Sequence, residues 1–244
     1  MVEPARSEPK VAIITGASRG IGAHLVKDFR AAGYRVVATS RSIGTSDVAA
    51  DPAVLAIEGD NGSADTAERV VGAAIARYGR IDTLVNNAGI FIPKPFVDYS
   101  QADFAAATAA NLAGFFHISQ RAASRMLRAG SGHIVNITAA ISEQPVASLP
   151  SALAALTKGG LNAVTRALGI EYAGRGIRVN AVSPGVIDTP MHAPAMHAFL
   201  AGLQPMGRMG CTQDVVDAVL YLERAPFVTG EILHVDGGAH AGHW

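Results

Sequence analysis

The chain of 244 residues holds one cysteine, Cys211, so no internal disulfide can form. One tryptophan and an aromatic share of 6% leave the core to aliphatic side chains. Charge of one sign is not in excess either, since Lys+Arg and Asp+Glu both number 20 and no basic run stands out. Such a chain offers no field for nucleic acid, an anionic membrane or acidic partners, and none is expected. No apolar run reaches the length of a bilayer span. The first residues, Met1 to Lys10, are too polar for a secretory h-region, and with the lone cysteine they point to the reducing cytoplasm. His192 and His197, and the terminal His240 and His243, do not have the spacing of a metal-ligating set, so no metal is expected.

What is present is a chain that is 49% hydrophobic and 16% charged, enough to bury the core of one large α/β domain. Short β-branched runs alternate with amphipathic stretches from end to end. This is the form of repeated βα units around a parallel sheet covered on both faces. Seven strands are predicted, at Val11–Thr15, Arg35–Thr39, Val54–Glu58, Thr83–Asn86, His133–Ile137, Arg178–Val182 and Ile232–Val235. Helices are predicted over Gly20–Ala32, closed by Gly33, and over Ser100–Ala129. No linker, repeat or low-complexity tract divides the chain, so residues 1–244 are read as a single doubly wound, Rossmann-type domain. The exception to regular order is the segment 186–211, Val186 to Cys211, rich in Pro, Gly, Met and His. It follows a strand end, where long connections cover ligands, and is read as a substrate-covering loop with some helix.

The run Val11-Ala12-Ile13-Ile14-Thr15-Gly16-Ala17-Ser18-Arg19-Gly20-Ile21-Gly22 is a buried strand, a glycine turn and a helix start. Its glycines let the backbone approach a pyrophosphate, and the helix amides and dipole receive the charge. At the end of the second strand, where an acidic residue would bond an unphosphorylated ribose, stand Ser40 and Arg41. Arg41 with Arg19 can clamp a 2′-phosphate, and Ser40 can donate another bond, which favours NADP(H) over NAD(H). Two solvated surface arginines are the alternative.

The spacing of Gly16, Gly20 and Gly22, the Asn86-Asn87-Ala88-Gly89 run, Asn111, Lys158 and the Ser183-Pro184-Gly185 turn together resemble the short-chain dehydrogenase/reductase family. Val228-Thr229-Gly230-Glu231 and Val235-Asp236-Gly237-Gly238 match its last strand, so the resemblance runs from Lys10 to Gly238. It implies cofactor contacts at Gly16, Ser18, Arg19, Gly20, Ile21 and Gly22, near the adenine at Asp60 and Asn61, and along Asn87, Ala88 and Gly89. It further implies them at Lys158, and around the nicotinamide at Pro184, Gly185, Ile187 and Thr189. Asp60 is alternatively a helix cap, and Asn87 to Gly89 only a turn. The family also implies a homo-oligomer, tetramer or dimer, built on the helices around Asn111 and Lys158.

In that family a Tyr stands four residues before the Lys, on the same helix face, and its phenol pKa of about 10 is lowered toward working pH so that it handles the carbonyl proton. Here that position is Ala154. The polarising Ser falls on Ala139 when counted from the strand and on Ile141 when counted from the helix, so neither count yields a hydroxyl. Thr138, Ser142, Ser148 and Ser151 lie nearby and are more often turn or cap residues. Asn111 and Lys158 remain, with Ala139 and Ala154 marking vacated positions.

Three readings follow. The substrate is a hydrophobic imine, whose basic nitrogen brings its own proton, with Glu143 or Asp188 stabilising the cation and the alanines opening room. Loss of general acid help, typically about 10²–10⁴-fold, damages ketone reduction more than iminium reduction. Alternatively the chain is a carbonyl reductase with a surrogate donor, His192 or a water chain through Lys158 and Asn111. The third reading is a non-catalytic dinucleotide-binding module, or a chain carrying an inactivating replacement of tyrosine. Ser142, Glu143, Met191, His192 and Met196 are the candidate substrate contacts. Met191, Met196, Phe199, Leu203 and Met206 form the apolar wall of the loop, or else core and interface packing.

Overall fold

The computed structural model describes residues 8–242. His243 therefore lies outside the described residues, as does most of the polar N-terminal stretch. Seven parallel strands form one sheet in the order β3-β2-β1-β4-β5-β6-β7. They are β1 (Val11–Thr15), β2 (Arg35–Ser40), β3 (Val54–Glu58), β4 (Thr83–Asn86), β5 (Gly132–Ile137), β6 (Ile177–Pro184) and β7 (Ile232–Val235). All seven lie where the β-branched runs predict them. The largest difference is β6, which continues to Pro184 because β7 pairs with it to the end, Pro184 opposite Val235 and the Gly185 amide donating to the Val235 carbonyl at 3.0 Å.

The helices are α1 (Gly20–Ala31), α2 (Asp47–Ala50), α3 (Ala64–Tyr78), α4 (Gln101–Ala107), α5 (Gly114–Ala129), α6 (Ala152–Ala173), α7 (His197–Gly202) and α8 (Thr212–Arg224). Alternate strand residues feed two cores. Ala12, Ile14, Val36 and Val182 meet Leu25 and Phe29 of α1 and Val219 and Leu222 of α8. Val11, Ile13, Leu84 and Ile134 meet Val70 and Ala74 of α3 and Ile118, Ala122 and Met126 of α5. This period-two division is why the strands read as continuous apolar runs. Ser63 caps α3 by accepting from the Thr66 amide, and Ser100 with Asp103 forms a capping box on α4.

The single helix expected over Ser100–Ala129 is helical throughout, but Thr108–Ala113 winds as a π-turn between α4 and α5. Such wide turns arise where an inserted residue is kept for its position, and this one carries Asn111 inward. Among the described residues no helix is long and apolar enough to cross a membrane.

At the edge where the strands begin lies a buried polar network that crosses the sheet. The Glu223 carboxylate of α8 accepts from Tyr34 Oη at 2.8 Å, His133 Nδ1 at 2.7 Å and Thr83 Oγ1 at 3.1 Å. The other ring nitrogen of His133 faces two donors, Asn180 Nδ2 at 3.0 Å and Arg178 at 3.3 Å, so it acts as acceptor and the imidazole is neutral. Burial holds the His133 pKa below its ordinary value in agreement with that tautomer.

Candidate active site

The strand order reverses between β1 and β4, and ligands of open α/β sheets bind at the carboxyl ends of strands at such a point. The two strand ends are fastened together there. Asn87 Nδ2 donates to the Thr15 and Gly16 carbonyls at 2.9 and 3.1 Å, while Thr15 Oγ1 accepts from the Asn87 and Ala88 amides at 3.1 and 3.0 Å. Thr15 was not singled out from the sequence; a hydroxyl closing an otherwise apolar strand is the signal that marks it. Gly16 has φ +64°, and a side chain on it would lie 2.8 Å from the Ala88 Cα, so only glycine fits this approach.

Helix α1 starts at Gly20 with no side-chain cap from Arg19 and no acidic residue in its first turn. Its leading amides are therefore open toward the crevice, as an anion-binding helix end requires. Gly22 packs directly on the Gly16 carbonyl and Asn87, and Ile21 turns into the core. Ser18 accepts from Ser42 at 3.4 Å, which joins the glycine turn to the end of β2 beside Ser40. Arg19 and Arg41 are both exposed there, and among the described residues neither forms an ion pair. The residues thus fit a phosphorylated dinucleotide. Asp60 is exposed and its carboxylate accepts the Gly62 amide at 2.9 Å, a local turn. Asn61 donates to the Ala110 carbonyl at 3.4 Å and packs against Gly114 at the start of α5.

Asn111 and Lys158 come together across Gly89. A Cβ on Gly89 would lie 2.9 Å from Asn111 Oδ1 and 2.9 Å from Lys158 Nζ, so the absence of a side chain there lets both approach. Asn111 bonds both polar groups of Ile90, at 2.9 and 3.1 Å, and donates to Thr157 Oγ1 at 3.1 Å. Lys158 is buried and donates to the Ile137 carbonyl at 2.8 Å. Burial lowers its pKa from 10.5 to about 8.

Around this pair three hydroxyls are committed to backbone, whereas Ser183 Oγ is buried with no partner among the described residues. Ser142 donates to the Ala139 carbonyl at 2.7 Å, Thr138 to the Val182 carbonyl at 3.4 Å and Thr157 to the Leu153 carbonyl at 3.0 Å. One sequence-based expectation is corrected here. Ala154 leaves no open room, because the residue is only 4% exposed, and the Ala140–Ser142 turn packs against α6. Glu143, itself partly exposed, bonds His234 Nε2 at 2.8 Å and stands 3.7 Å from Arg166. Asp188 in turn sits 3.8 Å from His197.

Segment 186–211 is pinned at its base. Ile187 bridges to Gly210, with amide bonds from Asp188 to the Gly210 carbonyl at 2.8 Å and from Gly210 to the Val186 carbonyl at 2.9 Å. Pro184 and Gly185 lead into it, and Thr189 approaches Gly20 of the glycine turn. Beyond that root Met191, Met196, Phe199 and Met206 are exposed. His192 is held below the ordinary imidazole value by burial and then by the neighbouring His197, so it is neutral near pH 7. Among the described residues no group of three or more His, Cys, Asp or Glu is placed to hold a metal ion.

The family model described as enoyl-(acyl carrier protein) reductase matches residues 16–240. A protein of Streptomyces violaceoruber named for ketoacyl reduction in the granaticin polyketide synthase is 39% identical, over 96% of this chain and 97% of its own. Among solved structures, ElxO with NADP bound superimposes with a TM-score of 0.88 at 27% identity, over 96% of this chain and all 100% of that one. A 3-ketoacyl-(acyl-carrier-protein) reductase of Brucella melitensis complexed with NADH gives a TM-score of 0.87 at 30% identity, over 95% and 98%.

Proposed function

The chain belongs to the short-chain dehydrogenase/reductase family, and on that footing we propose that it reduces the C=N bond of a hydrophobic small molecule with NADPH. When bound, the dihydronicotinamide supplies the hydride. The glycine turn and α1 amides hold the pyrophosphate, Arg19, Arg41 and Ser40 hold the 2′-phosphate, and Lys158 and Asn111 order the nicotinamide end. Relatives bound to NADP and to NADH support a nicotinamide cofactor, and the two arginines carry the choice of NADPH.

The observation that carries the C=N reading is the state of the acids. Ala139 and Ala154 replace the hydroxyls, and Thr138, Ser142 and Thr157 have donated their protons to carbonyls. A ketone needs a proton as the alkoxide forms, whereas an imine nitrogen is basic enough to be protonated before hydride arrives. Segment 186–211 covers the substrate, and its exposed Met191 and Met196 give it an adaptable apolar wall. A second reading, carbonyl reduction, is favoured by the ketoacyl chemistry in the relatives' names.

The chain works as a cytoplasmic homo-oligomer. An apolar hollow of ≈ 390 Å³ between α5 and α6, lined by Leu112, Phe115, Phe116, Leu161 and Val164, supports association on these helices. The function is tested by following NADPH oxidation with a cyclic imine and its matched cyclic ketone across a pH series. A clear imine preference that grows as pH falls is expected; turnover of the ketone alone overturns the C=N reading.

A further inference from the structure

At the edge where the strands begin, β6 clasps the connection from α8 to β7. Arg178 donates to the Leu222, Glu223 and Val228 carbonyls at 2.7, 3.1 and 3.3 Å. Asn180 donates to the Val228 carbonyl at 3.0 Å and accepts from the Glu231 amide at 3.1 Å, so its carboxamide cannot turn over without losing both bonds. His133 closes the inner side of this clasp. Its Nε2 accepts from the same Asn180 Nδ2 at 3.0 Å and lies 3.3 Å from the Arg178 guanidinium, while its Nδ1 hydrogen goes to Glu223. A second ring proton, on Nε2, would point at two donors, one of them a cation. The ring could avoid them only by giving up Glu223; otherwise Arg178 and Asn180 must withdraw and let the connection go.

The charged neighbours come from every element around the ring. Glu223 of α8 favours an imidazolium, whereas Arg178 of β6 and Lys10 ahead of β1 oppose it. Tyr34 ahead of β2 and Thr83 of β4 give their hydroxyl hydrogens to Glu223, and Asp82 is taken up by Arg80 and the Val11 amide. Burial is the largest influence, and it outweighs the pull of Glu223.

We propose that His133 is an acid-sensitive latch: a proton on Nε2 opens the clasp and frees the end of α8, the 225–231 connection and β7 while the rest of the sheet stays folded. The closed state holds the ring neutral, and the opened state takes up its proton at the ordinary imidazole value of about 6.5. Closure is therefore at full strength above that value and weakens below it, by up to about tenfold per pH unit. The loss reaches the crevice through β7, whose far end holds the Gly185 amide on the Val235 carbonyl and so backs the turn that leads into segment 186–211. The latch is independent of the reaction proposed above.

Native-state hydrogen exchange of the full chain, followed by NMR between about pH 7 and pH 5 and corrected for the intrinsic exchange rate, tests this above the range where carboxylates titrate. Protection of the β7 amides and of residues 222–231 is expected to fall by up to about tenfold per pH unit below about 6.5, while β1 and β4 hold. His133→Gln keeps one donor and one acceptor but cannot take the charge, and is expected to remove that slope. Equal loss in all the strands, no loss in β7, or an unchanged slope in folded His133→Gln overturns the latch. Ring ¹⁵N shifts of the wild-type chain decide the matter even if the variant does not fold. His133 is expected to stay in the neutral Nδ1–H form for as long as β7 is protected; a ring that charges with an ordinary midpoint in a chain whose β7 remains protected overturns the proposal.

Discussion

Where the strands begin, the buried Glu223 carboxylate accepts from His133, Tyr34 and Thr83; where they end, the buried Lys158 ammonium has one carbonyl and no facing carboxylate. Both edges bury an ionisable group that needs partners, and only the first supplies enough of them. Burial raises the Glu223 pKa and the donors from His133 and Tyr34 outweigh it, so the carboxyl stays below its ordinary range. At the other edge nothing offsets burial and the lysine is displaced toward its neutral form. The first edge is built for stability. The second holds a group in a state that stability alone would not select, which is where function is expected to lie.

The largest effect expected from breaking this contrast is at the saturated edge. Glu223→Ala leaves three buried donors unpaired and lowers unfolding free energy by about 3 kcal/mol or more in urea titration, at about 1–3 kcal/mol for each unsatisfied group. A loss near zero would mean that the network relaxes around the gap. At the other edge the effect is read through pH. Between pH 8 and 10.5 the folded chain has released the Lys158 proton while the unfolded chain still holds it. Because the unfolded state binds more protons there, stability rises with pH across that window, by about 3 kcal/mol in total. Lys158→Met removes this rise, and equal pH slopes in the two proteins would contradict the burial of an unpaired cation.

Smaller effects sharpen the picture at the crevice. Arg41→Ala is expected to weaken NADPH binding by about 10–100-fold in fluorescence titration, the worth of a charge-assisted bond, and to leave NADH binding within about threefold. Ala154→Tyr must push into space already closed and is expected to lose about 1–3 kcal/mol without creating a ketone reductase. Efficient ketone turnover by that variant would show that the space reopens readily. The smallest change is expected for His234→Gln, whose bond to Glu143 is partly exposed and worth about 0.2–1 kcal/mol.

The strands were legible because β-branched runs bounded by turn residues have few other uses in a chain this apolar, and β1 with its glycine turn was legible down to the residue. Asn111 and Lys158 were legible through family resemblance, but their meeting across Gly89 was not. That contact depends on a π-turn, and the periodicity of Ser100–Ala129 fits an ordinary helix as well. The Glu223 network was missed because His133 and Glu223 are 90 positions apart and each passes alone for a tolerated polar residue. The fate of the space beside Ala154 was unreadable for another reason. A missing side chain says that atoms are gone and not whether neighbours have closed over the gap.

The proposed reaction is delivery of hydride from this crevice to a C=N carbon. The most direct test incubates the protein with NADPH deuterated at nicotinamide C4, separately in each C4 configuration, and an equimolar mixture of a cyclic imine and its matched ketone. Mass spectrometry of the products is expected to find one deuterium on the amine carbon from one of the two cofactor forms, and none in alcohol. Deuterium in the alcohol and none in the amine would contradict the account.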